Sequence, residues 1–98
     1  DKLEENTSYF KSKIIAAGFE VKKGDSPIIP IMLYDAALSQ KFADMLLKEG
    51  VYVIGFFYPV VPNGKARIRT QISAAHSRKH LDLAISAFIK VGKKLKVI

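Results

Sequence analysis

Between Ala66 and Ser73 the chain alternates: Arg67, Arg69 and Gln71 fall on one side, Ile68, Thr70 and Ile72 on the other. A period of two puts each set on its own face of a strand. Such a strand is half-buried, so its sheet has one face on a core and one face open, as antiparallel sheets commonly do. The helices of the chain then belong on a single side.

The neighbouring segments agree with that plan. Leu3, Phe10, Ile14 and Ala17 keep helical spacing and Gly18 supplies a stop, although no N-cap is legible ahead of them. Lys22 to Ser26 is polar, contains Gly24 and reads as a loop. Pro27 to Leu33 is a short Ile-rich strand; its two prolines lack amide donors, so it enters or runs along a sheet edge. Asp35 fits as N-cap of a helix over Ala36 to Glu49, with Leu38, Phe42, Met45 and Leu46 on one face and Gly50 ending it. Val51 to Phe57, β-branched and aromatic, reads as the strongest strand. Tyr58 to Lys65 holds two prolines and an Asn-Gly pair, a loop signal, yet the loop is unusually apolar. Ser77 caps a helix from Lys79 to about Gly92, with Leu81, Ile85, Phe88 and Val91 or Gly92 as its buried stripe. The order is α-β-α-β-β-α. The fold class is α+β, a small, mostly antiparallel sheet with helices packed on one face.

A chain of 98 residues has room for one domain, residues 1–98, and one core. With 49% hydrophobic and 26% charged residues it has a globular balance rather than a disordered one. The absence of cysteine excludes a disulfide framework, a thiolate metal site and a cysteine nucleophile. The longest uncharged apolar run, Gly50 to Pro62, is far short of the ~20 residues a membrane span needs. No basic-then-apolar leader is legible, so the expected location is cytoplasmic, with no membrane partner. Because the chain opens at Asp1 in helix-like sequence, it is expected to be a piece of a longer protein.

Charge is unevenly placed. Residues 1–62 carry a net −1, whereas residues 63–98 hold nine Lys or Arg against Asp82 alone, for +8. One reading is a phosphate-bearing partner: nucleic acid, membrane or a phosphorylated cofactor. The other is a solvated helix end, where Lys90, Lys93, Lys94 and Lys96 oppose the negative end of the macrodipole. A nucleic-acid module would interleave aromatic residues with basic ones, and this segment has only Phe88, on the buried stripe. No nucleic-acid partner is expected.

Little else points to chemistry by spacing. His76 and His80 stand four apart, but His76 precedes the cap and no third ligand follows at a fixed spacing, so no metal is expected. No Ser-His-Asp order, glycine-rich phosphate loop or facing carboxylate pair is present, and no residue is assigned as catalytic. Arg67 and Arg69 are more informative, since a guanidinium offers parallel donors that match a carboxylate or phosphate. Either both face solvent on the open side of the sheet, or one reaches into a cleft where desolvation demands an anionic partner. The stiff apolar loop Tyr58 to Pro62 either walls a site or packs over the edge of the core.

The stretch from Gly55 through Tyr58-Pro59-Val60-Val61-Pro62-Asn63-Gly64 and Ala66-Arg67-Ile68-Arg69-Thr70-Gln71 to His76 resembles the C-terminal region of the α-oxoamine synthases. These are pyridoxal-phosphate enzymes of fold type I that condense an amino acid with an acyl-CoA. The likeness covers nearly the whole chain, including Ala16-Ala17-Gly18-Phe19, Ser26-Pro27-Ile28-Ile29-Pro30-Ile31-Met32-Leu33 and Glu49-Gly50-Val51-Tyr52-Val53-Ile54. It implies a C-terminal small domain without the large cofactor-binding domain. The family's Schiff-base lysine lies in a Thr-x-x-Lys-Ala-x-Gly-Gly type of stretch that this chain lacks, so the piece alone is expected to be inactive.

Within the family the likeness is to the branch that interconverts 2-amino-3-ketobutyrate plus CoA with glycine plus acetyl-CoA in threonine degradation; a different acyl-CoA is the alternative. The resemblance implies pyridoxal phosphate as cofactor of the parent and a homodimeric parent. It also implies that Arg69, the second arginine of Ala-Arg-Ile-Arg, clamps the substrate carboxylate, whereas Arg67 has no such role. Tyr58, Pro59 and Val60 would lie on the acyl-CoA side of the site. Relatives taking longer or carboxylated acyl chains tend to read Pro-Thr-Val-Pro there, and Val60 removes that hydroxyl, which suits an acetyl group. His76 is implied to be structural.

Overall fold

The computed structural model describes residues 1–24 and 26–98. Its elements are α1 (Lys2–Ala17), β1 (Ile28–Tyr34), α2 (Ala36–Lys48), β2 (Ile54–Phe56), β3 (Ala66–Gln71) and α3 (Arg78–Lys94). The predicted order and α+β class hold. Asp25, within the expected Lys22–Ser26 loop, lies outside the described residues.

Each helix begins on a side-chain cap. Asp35 accepts from the Leu38 N–H at 2.8 Å, and Ser77 accepts from the His80 N–H at 3.1 Å, both as expected. The third cap corrects the sequence reading: Asp1 accepts from the Glu4 N–H at 2.8 Å and opens α1. It was illegible because the first turn is mostly polar and no apolar periodicity begins at the cap. Replacing Asp35 by alanine, which leaves one α2 amide unsatisfied, is expected to cost about 1 kcal/mol. Urea midpoints of the two proteins measure it, and an unchanged midpoint would show that the cap is dispensable.

The sheet order is β1-β3-β2, with both pairs antiparallel. β1 is an edge strand, as its prolines require. A single bridge partly covers its outer side: the Lys22 N–H donates to the Pro30 carbonyl at 3.0 Å, and the Met32 N–H to the Glu20 carbonyl at 2.8 Å. The other edge is shorter than expected. Only Ile54–Phe56 of the predicted Val51–Phe57 strand enters the ladder. The reason lies at the end of α2, where Gly50 takes φ 87° and lets the Val51 N–H turn back to the Leu46 carbonyl at 2.9 Å. Helix termination claims the first amide of the segment before pairing begins.

Ile29, Ile31 and Leu33 of β1, with Ala66 and Ile68 of β3, form the buried row facing the helices. Phe10 and Ile14 of α1, Phe42 and Leu46 of α2, and Leu81, Ile85, Phe88 and Val91 of α3 complete the core. Phe88 is its hub, with ring centroids 5.6 Å from Phe10, 6.1 Å from Phe19 and 6.0 Å from Phe42. Gly92 allows α3 to approach this cluster, since a Cβ there would lie 2.5 Å from Cζ of Phe19. Both Val91 and Gly92 are buried, so the stripe includes both of the positions left open by periodicity.

Polar contacts fasten α1 to the far end of the chain. The Asn6 side chain is buried and its Nδ2 donates to the carbonyls of Ser73 at 3.0 Å and His76 at 2.8 Å. The Tyr9 hydroxyl donates to the Asp82 carboxylate, a hydrogen bond that raises the phenol pKa above its ordinary value, with desolvation adding to it. The Arg78 guanidinium lies 3.5 Å from the centroid of the same ring.

Candidate functional site

The face of the sheet turned away from the helices is not uniformly polar. On β3 it presents Arg67, Arg69 and Gln71, the first two half-buried and the third exposed. Flanking positions in the register are apolar. Arg69 stands between Pro30 of β1 and Ile54 of β2, and Arg67 between Met32 and Phe56. Two arginines thus sit in a frame of Pro30, Met32, Ile54 and Phe56.

The two guanidinium groups differ in their surroundings. The Arg67 Nε donates to the Lys65 carbonyl at 3.3 Å, a local contact at the base of the hairpin. The Arg69 guanidinium carbon lies 4.5 Å from the centroid of the Phe56 ring. Among the described residues the salt bridge is Lys90 to Glu49 at 3.0 Å, so Arg69 has an aromatic ring beside it and no carboxylate within ion-pair reach. Its fork of donors remains available to an incoming anion.

Tyr58, Pro59 and Val60 lie in the loop between β2 and β3 and are exposed, Tyr58 at 65% and Val60 at 73%. Turn hydrogen bonds shape the loop: the N–H groups of Val60 and Val61 both donate to the Phe57 carbonyl, at 3.0 and 3.3 Å. These side chains do not pack over the core. Arg69 stands four residues beyond the loop's end at Lys65, about 13 Å at the usual strand rise. It pairs with Ile54, the β2 residue farthest from the loop, so loop and arginine lie at opposite ends of the short hairpin ladder.

The histidines form no metal centre. His76 Nδ1 accepts from the Ser73 N–H at 3.1 Å, and His80 Nδ1 accepts from the Ser77 N–H at 3.4 Å. Each ring is part of the turn from β3 into α3, and among the described residues no group of three metal-ligating side chains occurs. A groove of about 610 Å³ lies on the helix side, lined by Tyr52, Thr70, His80, Leu81 and Lys90 among others. It takes in Thr70 and Ile72 of the inward row and Gln71 at the end of β3, and does not include Arg69.

Sequence reading missed Phe56 as a partner of Arg69. The signal was there: Ile54 and Phe56 alternate about Gly55, and pairing the two halves of the hairpin brings Phe56 diagonal to Arg69.

The aminotransferase class I and II family pattern matches residues 1–88, and the chain belongs to that family. Over all 98 residues it is 54% identical to the 2-amino-3-ketobutyrate coenzyme A ligase of Escherichia coli (strain K12), of which it covers 25%. It is 48% identical over 97 residues to the 8-amino-7-oxononanoate synthase of Thermosipho melanesiensis, again covering 25% of that protein. Among solved structures, a serine palmitoyltransferase from S. paucimobilis with a bound PLP–myriocin aldimine superposes with TM-score 0.92 at 26% identity, over 99% of this chain and 25% of that one. The resemblance to the α-oxoamine synthases is borne out. The chain spans about a quarter of the length of these relatives. No helix of the described residues is long and apolar enough to cross a membrane.

Proposed function

We propose that this chain is the C-terminal small domain of a pyridoxal-phosphate enzyme that interconverts 2-amino-3-ketobutyrate plus CoA with glycine plus acetyl-CoA, and that Arg69 holds the carboxylate of the amino acid. The observation carrying the second part is the half-buried Arg69 guanidinium, framed by Pro30, Ile54 and Phe56 and free of a carboxylate partner among the described residues. A bidentate pair with the glycine carboxylate would satisfy that charge and orient the Cα–H bond for deprotonation. Identity of 54% to a 2-amino-3-ketobutyrate coenzyme A ligase supports the first part.

The residues of this chain do not make a cradle for the cofactor. A Schiff-base lysine has to be desolvated enough to lose its proton near neutral pH. Every lysine here except Lys11 is exposed, and the Lys11 ammonium donates to the Gly24 carbonyl at 2.7 Å. With the family's Thr-x-x-Lys-Ala-x-Gly-Gly type of stretch absent from this chain as well, cofactor and electron sink are assigned to another part of the parent polypeptide, and the isolated domain is expected to be inactive. From the family resemblance the reading extends to a cytoplasmic homodimer working in threonine degradation.

Tyr58, Pro59 and Val60 are assigned to the acyl-CoA side, with Val60 offering no hydroxyl to a carboxylated tail. The full-length enzyme is expected to use acetyl-CoA with glycine in preference to glutaryl- or palmitoyl-CoA. Initial rates with the three thioesters decide it, and a faster rate with the carboxylated or long chain would move the protein to another branch of the family. A nucleic-acid module is not favoured, because Phe88, the aromatic residue of the basic segment, is fully buried.

A further inference from the structure

We infer that Phe56 is a positioning residue for Arg69, fixing the direction of the guanidinium before substrate arrives. This rests on the assignment of Arg69 as the carboxylate clamp. Three observations carry it. The guanidinium carbon lies 4.5 Å from the Phe56 ring centroid, within the range where a cation is drawn to a ring face. Phe56 pairs with Arg67 in the β2–β3 register and so stands diagonally across from Arg69 on the same face, where long side chains on adjacent strands meet. Arg69 makes no side-chain hydrogen bond or ion pair among the described residues, so within the apolar frame of Pro30 and Ile54 the ring is the group that attracts its guanidinium.

An arginine carries several rotatable bonds, and ordering them on binding costs affinity unless the free protein has already done so. A ring beside the guanidinium disfavours rotamers that move the cation off it and takes up none of its N–H donors. Lys65 does the corresponding job for Arg67 through its carbonyl, but there it occupies a donor. Aromatic stacking is thus the way to hold Arg69 still without using the groups that must bind the substrate.

The test uses the full-length holoenzyme with Phe56→Leu, Phe56→Met and Phe56→Tyr, each also in the Arg69→Lys background. Losing the ring is expected to raise the KM for glycine roughly three- to tenfold. The KM for acetyl-CoA should move less than about twofold, and tyrosine should restore the parent value, since its ring has the same face. In the Arg69→Lys background the Leu and Met substitutions should change the glycine KM by less than about twofold, because their effect runs through the arginine. Independently of activity, the Arg69 Nε–H resonance, identified by its loss in Arg69→Lys, should be shifted upfield by the ring current. Unchanged glycine KM in both ring-less variants, equal losses toward both substrates, undiminished effects in the Arg69→Lys background or an unshifted resonance each overturn the inference. If instead Arg69→Lys alone leaves glycine kinetics intact, the clamp assignment itself is at fault.

Discussion

In the full-length enzyme, Arg69→Lys is expected to lower glycine turnover on the order of 10²-fold, because it misplaces the carboxylate by about an ångström. Lysine keeps the positive charge but replaces a planar fork with one flexible ammonium, so charge alone does not rescue the variant. Arg67→Lys should be mild by comparison. Its observed contact is one 3.3 Å hydrogen bond to a backbone carbonyl, and a partly solvated interaction of that kind is worth at most about 1 kcal/mol. Glycine-dependent kinetics of both variants, with a thermal melt to confirm that each is folded, make the comparison. Equal and mild effects at both positions would remove the clamp from Arg69. An inverted ranking would assign it to Arg67.

The second large effect concerns the fold. Phe88→Ala is expected to destabilise the domain by about 3–5 kcal/mol, the range for emptying a fully packed aromatic site. Three aromatic partners surround that ring at centroid distances of 5.6 to 6.1 Å, so the cavity would be bounded by all three helices and the Phe19 segment. A domain of this size has about 5–15 kcal/mol in total, so the change removes a large share of it. Phe88→Leu should cost clearly less, because it refills most of the space. Denaturant titration followed by circular dichroism measures both, and a loss under about 1 kcal/mol for the alanine variant would show that the core collapses around the gap.

Patterns of period two and 3.6 made most of the fold readable. Ala66 to Ser73 alternates because one face is buried, and Asp35 and Ser77 stand where orphan amides need acceptors. Illegible parts were those decided by competition between neighbours. Val51 has strand propensity, but its amide is drawn to the Leu46 carbonyl as α2 ends. Asp1 caps a helix whose first turn gives no apolar rhythm. For the site, the motif around Arg69 supplied the residue, while the ring beside it emerges only when two strands are paired in register. A buried Asn6 reaching across the chain to Ser73 and His76 has no local signature at all.

Because β3 is the middle strand, the facing of Arg69 and the packing of the core are set by a single reading frame. Deleting one residue between Ala66 and Arg69 would turn the arginine toward the core and push an isoleucine into the open, disrupting both faces of the sheet together. The loop from Phe57 to Lys65 carries no such double duty. Its side chains are largely exposed and its length is not locked to the ladder. Changes in the length or composition of the loop therefore leave the ladder intact, while the arginine strand tolerates neither insertion nor loss.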